Sequence, residues 1–382
     1  MAYFDNAATS FPKPEIVYSF MDSFYRNCGG SVGRGNYALA NNARNIVEET
    51  RLLIQTLLHC PTKQVVFTPT ATIALNIIIQ GIISSGVRHV YISPFEHNAV
   101  TRVLYHFEEL GQIIVHELNV TNSLEYDIER ISYQFDANSP ELVIVSHASN
   151  VIGLVSPVET IFKLSKKYNA ITVADMSQTA GIIDTNVGLE TFDFAVFAGH
   201  KTLLGPTGIS GFVMKPEFDL PPAFFGGTGY DSANQEMPNS LPEKFEFGTL
   251  NILGVAGLNA ALKWILKEKV DNLYARELKN RSQLLDLLNK YDYFTIIGDL
   301  DQQRYVGIVS CLIKNISSES AGPLFSERGI AVRTGLHCAP KAHKFLGTYP
   351  SGTIRFSVGP FTSKTDFDDL EQSLDYFEEN LE

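Results

Sequence analysis

Between residues 64 and 214 the chain alternates short, uninterrupted apolar runs with segments of helical periodicity. The runs are "QVVFT" (64–68), "HVYIS" (89–93), "QIIVHEL" (112–118), "ELVIVSH" (141–147), "AITVAD" (170–175), "DFAVFAG" (193–199) and "GISGFVM" (208–214). Helices are expected over 72–82, near 98–110 and near 158–168. A strand that is apolar at every position has to be covered on both faces, and intervening helices let successive strands lie parallel. The expected fold is therefore α/β, with a mostly parallel sheet in a doubly wound arrangement. A further helix over about 41–59 sets Ile46, Val47, Thr50, Leu53, Ile54, Leu57 and Leu58 on one face.

Beyond the sheet, residues 215–250 are rich in Pro, Gly and Asn and hold little regular structure. So long an irregular segment inside a compact protein belongs to a functional loop or an interface. One long helix is expected over roughly 252–290. The rest mixes strands ("YVGIVSCLI", "GTIRFSV") with helices, including 365–380, as a smaller α+β domain. With 382 residues, two domains are expected, 14–255 as the large one and 1–13 with 256–382 as the small one.

Charge narrows the partners. Against 42 Asp and Glu stand 30 Lys and Arg, and a net charge of −12 argues against nucleic acid or an anionic membrane. The longest apolar stretch, "ALNIIIQGII", is too short to span a bilayer, and "MAYFDNAATS" has no signal-like pattern. A cytoplasmic protein is expected. Its 4 cysteines form no C-x-x-C, so free thiols are expected rather than a zinc site or a disulfide framework. Two nucleotide motifs fail on context: no strand precedes "GRGNYA", and "GHKT" lacks the glycine frame of a phosphate-binding loop.

In doubly wound sheets, ligands bind beyond the carboxyl ends of the strands. Those ends carry Thr70-Ala71-Thr72, Glu96-His97-Asn98, His147 to Asn150, Asp175 to Gln178, and His200-Lys201. One crevice thus collects a helix N-terminus suited to a phosphate, an imidazole, amides, a carboxylate and a lysine. A carboxylate ending a buried strand can hold a cationic ring nitrogen. Lys201, in the glycine-rich turn "FAGHKTLLGPTGISG", is placed as a phosphate anchor or as a nucleophile with a lowered pKa. Singly, His97 reads as an ordinary hydrogen-bonded histidine and Asp175 as a helix cap. Together they are the parts of a pyridoxal phosphate site.

The segments "YFDNAAT", "SHASNVIG", "VADMSQTAG", "FAGHKTLLGPTGISG" and "RTGLHCAP" resemble the class V aminotransferase family. The likeness is strongest to its cysteine desulfurase and selenocysteine lyase branch of the group II type, and it spans essentially the whole chain. The resemblance implies a fold-type-I pyridoxal-phosphate transferase and a homodimer. It implies that Lys201 carries the cofactor covalently and moves the Cα proton, and that Asp175 pairs with the ring nitrogen. His97 stacks on the ring, Gln178 bonds the phenolic oxygen, and Asn150 lies near that oxygen and the substrate. Ala71, Thr72 and His200 hold the phosphate, while Gly226, Gly227 and Thr249 reach it from the second subunit. Arg355 clamps the substrate carboxylate, with Arg34 and Arg333 in the same substrate set. The sequence departs from the family at Ala198, Gly33 and Leu336, where a hydroxyl residue and two histidines are usual.

Cys338 separates a desulfurase from a plain aminotransferase. It lies between a strand and a helix, beside Arg333, His337, Lys341 and His343, and nearby cations favour a thiolate. In the family this cysteine, on a mobile loop, takes sulfur from substrate cysteine and leaves alanine. The implied activity is desulfuration of L-cysteine, with a sulfur-acceptor protein as partner. A selenocysteine lyase, an aminotransferase or an epimerase with the same cofactor site is the alternative.

Overall fold

The structure, a computed structural model, describes residues 1–30, 32, 35, 37–230, 233–298 and 304–380. A short strand β1 (Ala2–Tyr3) leads into helices α1 (Glu15–Cys28) and α2 (Ala38–Leu57). Next come β2 (Gln64–Thr68), α3 (Ala71–Ile83), β3 (His89–Ile92), α4 (Asn98–Glu109) and β4 (Ile114–Glu117). Then follow α5 (Ile128–Ala137), β5 (Leu142–Ser146), α6 (Val158–Ser165), β6 (Ile171–Asp175), β7 (Phe194–Ala198) and β8 (Ser210–Met214). The C-terminal part begins with α7 (Ile252–Glu268), α8 (Val270–Leu288), β9 (Phe294–Ile297), β10 (Ile308–Ile313) and α9 (Ser318–Glu327). It ends with β11 (Ile330–Ala331), β12 (Arg333–Gly335), α10 (Pro340–Phe345), β13 (Thr353–Ser357) and α11 (Lys364–Asn380).

The large sheet has 7 strands in the order β2-β8-β7-β6-β5-β3-β4, and only β8 runs antiparallel to its neighbours. Alternate residues of every strand but the edge strand β4 enter opposite cores. Val143 and Val145 of β5 pack on one side, Leu142 and Ile144 on the other, and β7 divides the same way. This double burial is why the strands read as unbroken apolar runs. A second sheet of 4 strands, β12-β13-β10-β9, is antiparallel, and β1 pairs with β11.

Two local expectations differ, and a third, the irregular stretch 215–250, agrees. The helix expected over 252–290 is two helices, because Lys269 has φ 70° and ψ 134° and breaks the backbone ladder. Helices α1 and α5 are not anticipated from the sequence: α1 packs against α7 and α2, and α5 covers the sheet with Phe135 against Tyr91 of β3. Residues 215–250 hold no helix or strand among the described residues. No described helix is long and apolar enough to cross a membrane.

Candidate active site

The carboxyl ends of β2, β3, β5, β6 and β7 open on one edge of the large sheet, as parallel pairing requires. At β2 the chain turns through Thr70, whose side chain accepts the Ile73 N–H at 3.2 Å and starts α3. Ala71 and Thr72 lie in the first turn, where no carbonyl four residues earlier can reach their N–H groups. After β3, His97 caps α4 by accepting the Ala99 N–H on Nδ1 at 3.0 Å. That bond puts any proton on Nε2. Burial, with the Lys201 charge, lowers the His97 pKa to about 4, so the ring is neutral.

Asp175 ends β6. Its Oδ1 accepts the Ser177 N–H at 3.0 Å and the Ser177 hydroxyl at 2.6 Å, and Oδ2 has no hydrogen bond among the described residues. Lys201 follows β7, and burial lowers its amine to about 8 despite Asp175, with Arg355 and Arg333 adding to the effect. The peptide before it is pinned by the N-terminal segment. The His200 carbonyl accepts from Thr9 Oγ1 (3.1 Å), Ser10 N (3.1 Å), Ser10 Oγ (3.2 Å) and Lys13 Nζ (3.3 Å).

The small sheet supplies the opposite wall. Arg333 of β12 and Arg355 of β13 are register partners, so both reach toward the same edge of the large sheet. Arg355 donates through Nη1 to the Asn150 carbonyl and through Nη2 to Asp5 Oδ1, both at 2.8 Å. Arg333 Nε donates to the other Asp5 oxygen at 3.3 Å. Between β12 and α10, His337 and Cys338 both have left-handed backbones, φ 47° and 57°. The Cys338 carbonyl accepts the Asn98 N–H at 2.7 Å, and the His337 carbonyl accepts Asn150 Nδ2 at 2.7 Å. Cys338 itself is exposed.

These walls enclose a cavity of about 280 Å³ lined by His97, Asp175, Lys201, Arg333, Cys338 and Arg355. Ala71, Thr72, Asn150, Gln178 and His200 line the same cavity, so residues from the whole length of the chain converge. Gly227 and Thr249 instead line a separate depression with Arg51 and Phe67. Arg34 and Gly33 lie outside the described residues. The hydroxyl absent at Ala198 has no replacement at that position, which is the last residue of β7.

Geometry revises several expectations drawn from the sequence. The cations placed near Cys338 do not act as a cluster: Lys341 pairs with Glu117 at 2.6 Å, and burial drives both His337 and His343 to neutrality. The cationic side chains that line the cavity with this thiol are Lys201, Arg333 and Arg355. Rather than hanging loose, the Cys338 loop is held at two successive carbonyls. Asn150 spends one amide hydrogen on that loop, and Gln178 donates Nε2 to the Ala7 carbonyl at 2.9 Å. Asp5, Lys13 and Glu96 were not singled out by role. Asp5 through Arg333 and Arg355, Lys13 through the His200 carbonyl and Glu96 through Ser146 each meet a partner far away in the chain, which no local pattern marks.

The family model for aminotransferase class-V matches residues 2–370. A probable cysteine desulfurase of Pyrococcus abyssi is 30% identical, over 99% of this chain and 93% of the relative. Another, of Xylella fastidiosa, is 30% identical over 94% of this chain and 86% of the relative. Among solved structures, an apo cysteine desulfurase from Thermococcus onnurineus NA1 gives a TM-score of 0.91 at 27% identity, covering 100% of this chain and 95% of that one. The Escherichia coli cysteine desulfurase CsdA gives 0.86 at 26% identity, covering 99% and 94%. With the match running nearly end to end and through every wall of the cavity, the chain belongs to the aminotransferase class-V family.

Proposed function

We propose that the protein is a pyridoxal-phosphate-dependent cysteine desulfurase that converts L-cysteine to L-alanine and keeps the sulfur as a persulfide on Cys338. The observation that carries this is the placing of Cys338 in one cavity with Lys201, Asp175 and His97. Family membership implies the cofactor. The donor set suits it: among the described residues, buried His200 Nδ1 and Asp175 Oδ2 have no hydrogen-bond partner, and Ala71 and Thr72 of the first turn of α3 line the same cavity. When bound, pyridoxal phosphate acts as an electron sink for charge that develops at the substrate Cα.

Ala71, Thr72 and His200 would hold the phosphate, and Asp175 the ring nitrogen. Lys201 Nζ, its basicity lowered by burial, would hold the cofactor covalently and carry the substrate's Cα proton. Neutral His97, fixed by its cap bond, would pack on the ring. The guanidinium of Arg355, with Arg333 beside it, would take the substrate carboxylate. Asn150 would orient the substrate, and Gln178 would bond the phenolic oxygen through its second amide hydrogen. The Cys338 sulfur attacks the substrate sulfur; the Cβ–S bond breaks and its electron pair is taken up as a new C–H bond. Thus L-cysteine and the Cys338 thiol give L-alanine and the Cys338 persulfide, with Cβ reduced and the sulfurs oxidised. A thiol of an acceptor protein would then remove the outer sulfur. The free thiols suit a reducing compartment such as the cytoplasm.

The test is incubation with L-cysteine and a thiol reductant, with alanine and sulfide measured together. Equal amounts of the two are expected, with the persulfide visible by intact mass before reductant is added. Alanine or pyruvate without sulfide overturns the assignment.

A further inference from the structure

We propose that a buried chain of hydroxyls, centred on Thr353, positions Cys338 for reaction. This inference rests on the reading of Cys338 as the sulfur acceptor. Two successive non-glycine residues in left-handed conformation, His337 and Cys338, do not hold that shape unaided. A row of hydrogen bonds behind them has only one possible direction. Ser310 Oγ donates to the Val151 carbonyl at 2.6 Å, which uses its single proton. Its lone pair accepts Thr353 Oγ1 at 3.1 Å, which uses the Thr353 proton. His337 Nε2, 2.9 Å from Thr353 Oγ1, is therefore the donor of that pair.

The tautomer of His337 follows from this order: Nε2 carries the proton, and buried Nδ1 is bare, with no hydrogen-bond partner among the described residues. Burial, with the charge on Arg355, keeps the ring neutral, so the order is not disturbed by protonation. Ser310 and Thr353 are 0% exposed and His337 5%, so water does not compete for these bonds. The chain ends at Val151, next to Asn150, whose side chain holds the His337 carbonyl. The imidazole and the carbonyl of His337 are thus tied to the same turn of the large sheet, one through β13 and β10 and one directly. Without the Thr353 hydroxyl, His337 keeps only its bond to the Thr353 backbone on that side, the turn relaxes, and the Cys338 sulfur shifts within the cavity it shares with Lys201 and Arg355.

The test compares Thr353→Val, nearly isosteric, with Thr353→Ser in the cofactor-loaded protein. Thr353→Val should lower kcat by about tenfold to a hundredfold, with KM for L-cysteine and the cofactor absorbance unchanged. Alkylation of Cys338 by iodoacetamide, read on its peptide by mass, should slow in the cofactor-free protein as the thiol leaves its cations. Thr353→Ser should restore both. A hydroxyl that only stabilises the fold would lower the unfolding midpoint and leave kcat and alkylation alone, and that result overturns the proposal. So does a fall in kcat accompanied by loss of cofactor. If Thr353→Val does not fold, Ser310→Ala breaks the same chain one bond further on, with the same expectations. Cys338→Ala separates the two claims: wild-type sulfide release from it removes the desulfurase role of Cys338, whereas unchanged alkylation in Thr353→Val removes only the positioning.

Discussion

Asp5 and Arg355, 350 positions apart, meet at 2.8 Å between a carboxylate oxygen and a guanidinium nitrogen. The arginine side chain is 2% exposed and the aspartate 17%. The second Asp5 oxygen takes Arg333, so one carboxylate balances two cations that line the Lys201 cavity. Removing one partner of such a pair leaves an uncompensated buried charge. Asp5→Ala should destabilise the protein by about 3 kcal/mol, measured by urea unfolding. A loss near zero would mean that water already solvates Arg355.

Lys201 gives a pH signature. Burial lowers its pKa from 10.5 to about 8, so the charged amine is the form the fold disfavours. The neutral amine is the nucleophile toward the cofactor aldehyde. Capture of pyridoxal phosphate by cofactor-free protein should therefore speed up about tenfold per pH unit below about 8 and level off above it. Stopped-flow absorbance reads this directly. A profile still rising near the ordinary lysine value would show that the amine is not buried in solution.

Glu96 should shape stability between mildly acid and neutral pH. Its carboxylate accepts from Ser93 Oγ (2.6 Å), Ser146 N (2.6 Å) and Ser146 Oγ (2.8 Å), yet complete burial raises its pKa from 4.5 to about 7. A raised carboxyl pKa means that the folded state keeps a proton the unfolded chain has lost. Its stabilisation is complete below 4.5 and is lost as pH rises through about 7. Glu96→Gln does not titrate, so its stability relative to wild type should improve across that window. An equal gap in unfolding free energy at both ends would contradict this.

Self-association is the remaining expectation. Gly227 and Thr249 line a depression of about 800 Å³ outside the Lys201 cavity, and Phe225 beside them is 79% exposed. We propose that this surface meets a second copy and that Gly227 and Thr249 complete its phosphate site. Sedimentation should give a dimer burying more than about 2,000 Å² in total. Thr249→Trp should weaken dimerisation and cofactor retention together. A monomer with full cofactor affinity would refute the assignment.

The sheet and most of the cavity were legible because both rest on local signals. Strands buried on two faces must be apolar throughout, and six of the seven are so buried, while β4 at the edge is partly exposed. Parallel pairing carries the carboxyl ends of all these strands but β8 to one edge, which groups Thr72, His97, Asn150, Asp175 and Lys201 from chain order alone. The break at Lys269 was not legible, since an apolar face continues through it from α7 to α8 and only the backbone angles reveal it.

By itself, then, the sequence determined the α/β class, the ordered strand ends and the identity of the groups that share the pocket, because periodicity and chain order are properties of neighbours along the chain. Tertiary structure alone decided which of those groups are charged, paired or aimed. Lys341, three residues from Cys338 in sequence, pairs with Glu117, while Lys201, distant in sequence, lines the same cavity as the thiol. His337 looks like a cation in "RTGLHC" and is a neutral donor to Thr353 once water is excluded. Charge state and aim depend on burial and on partners brought together across hundreds of residues, and no local pattern encodes either.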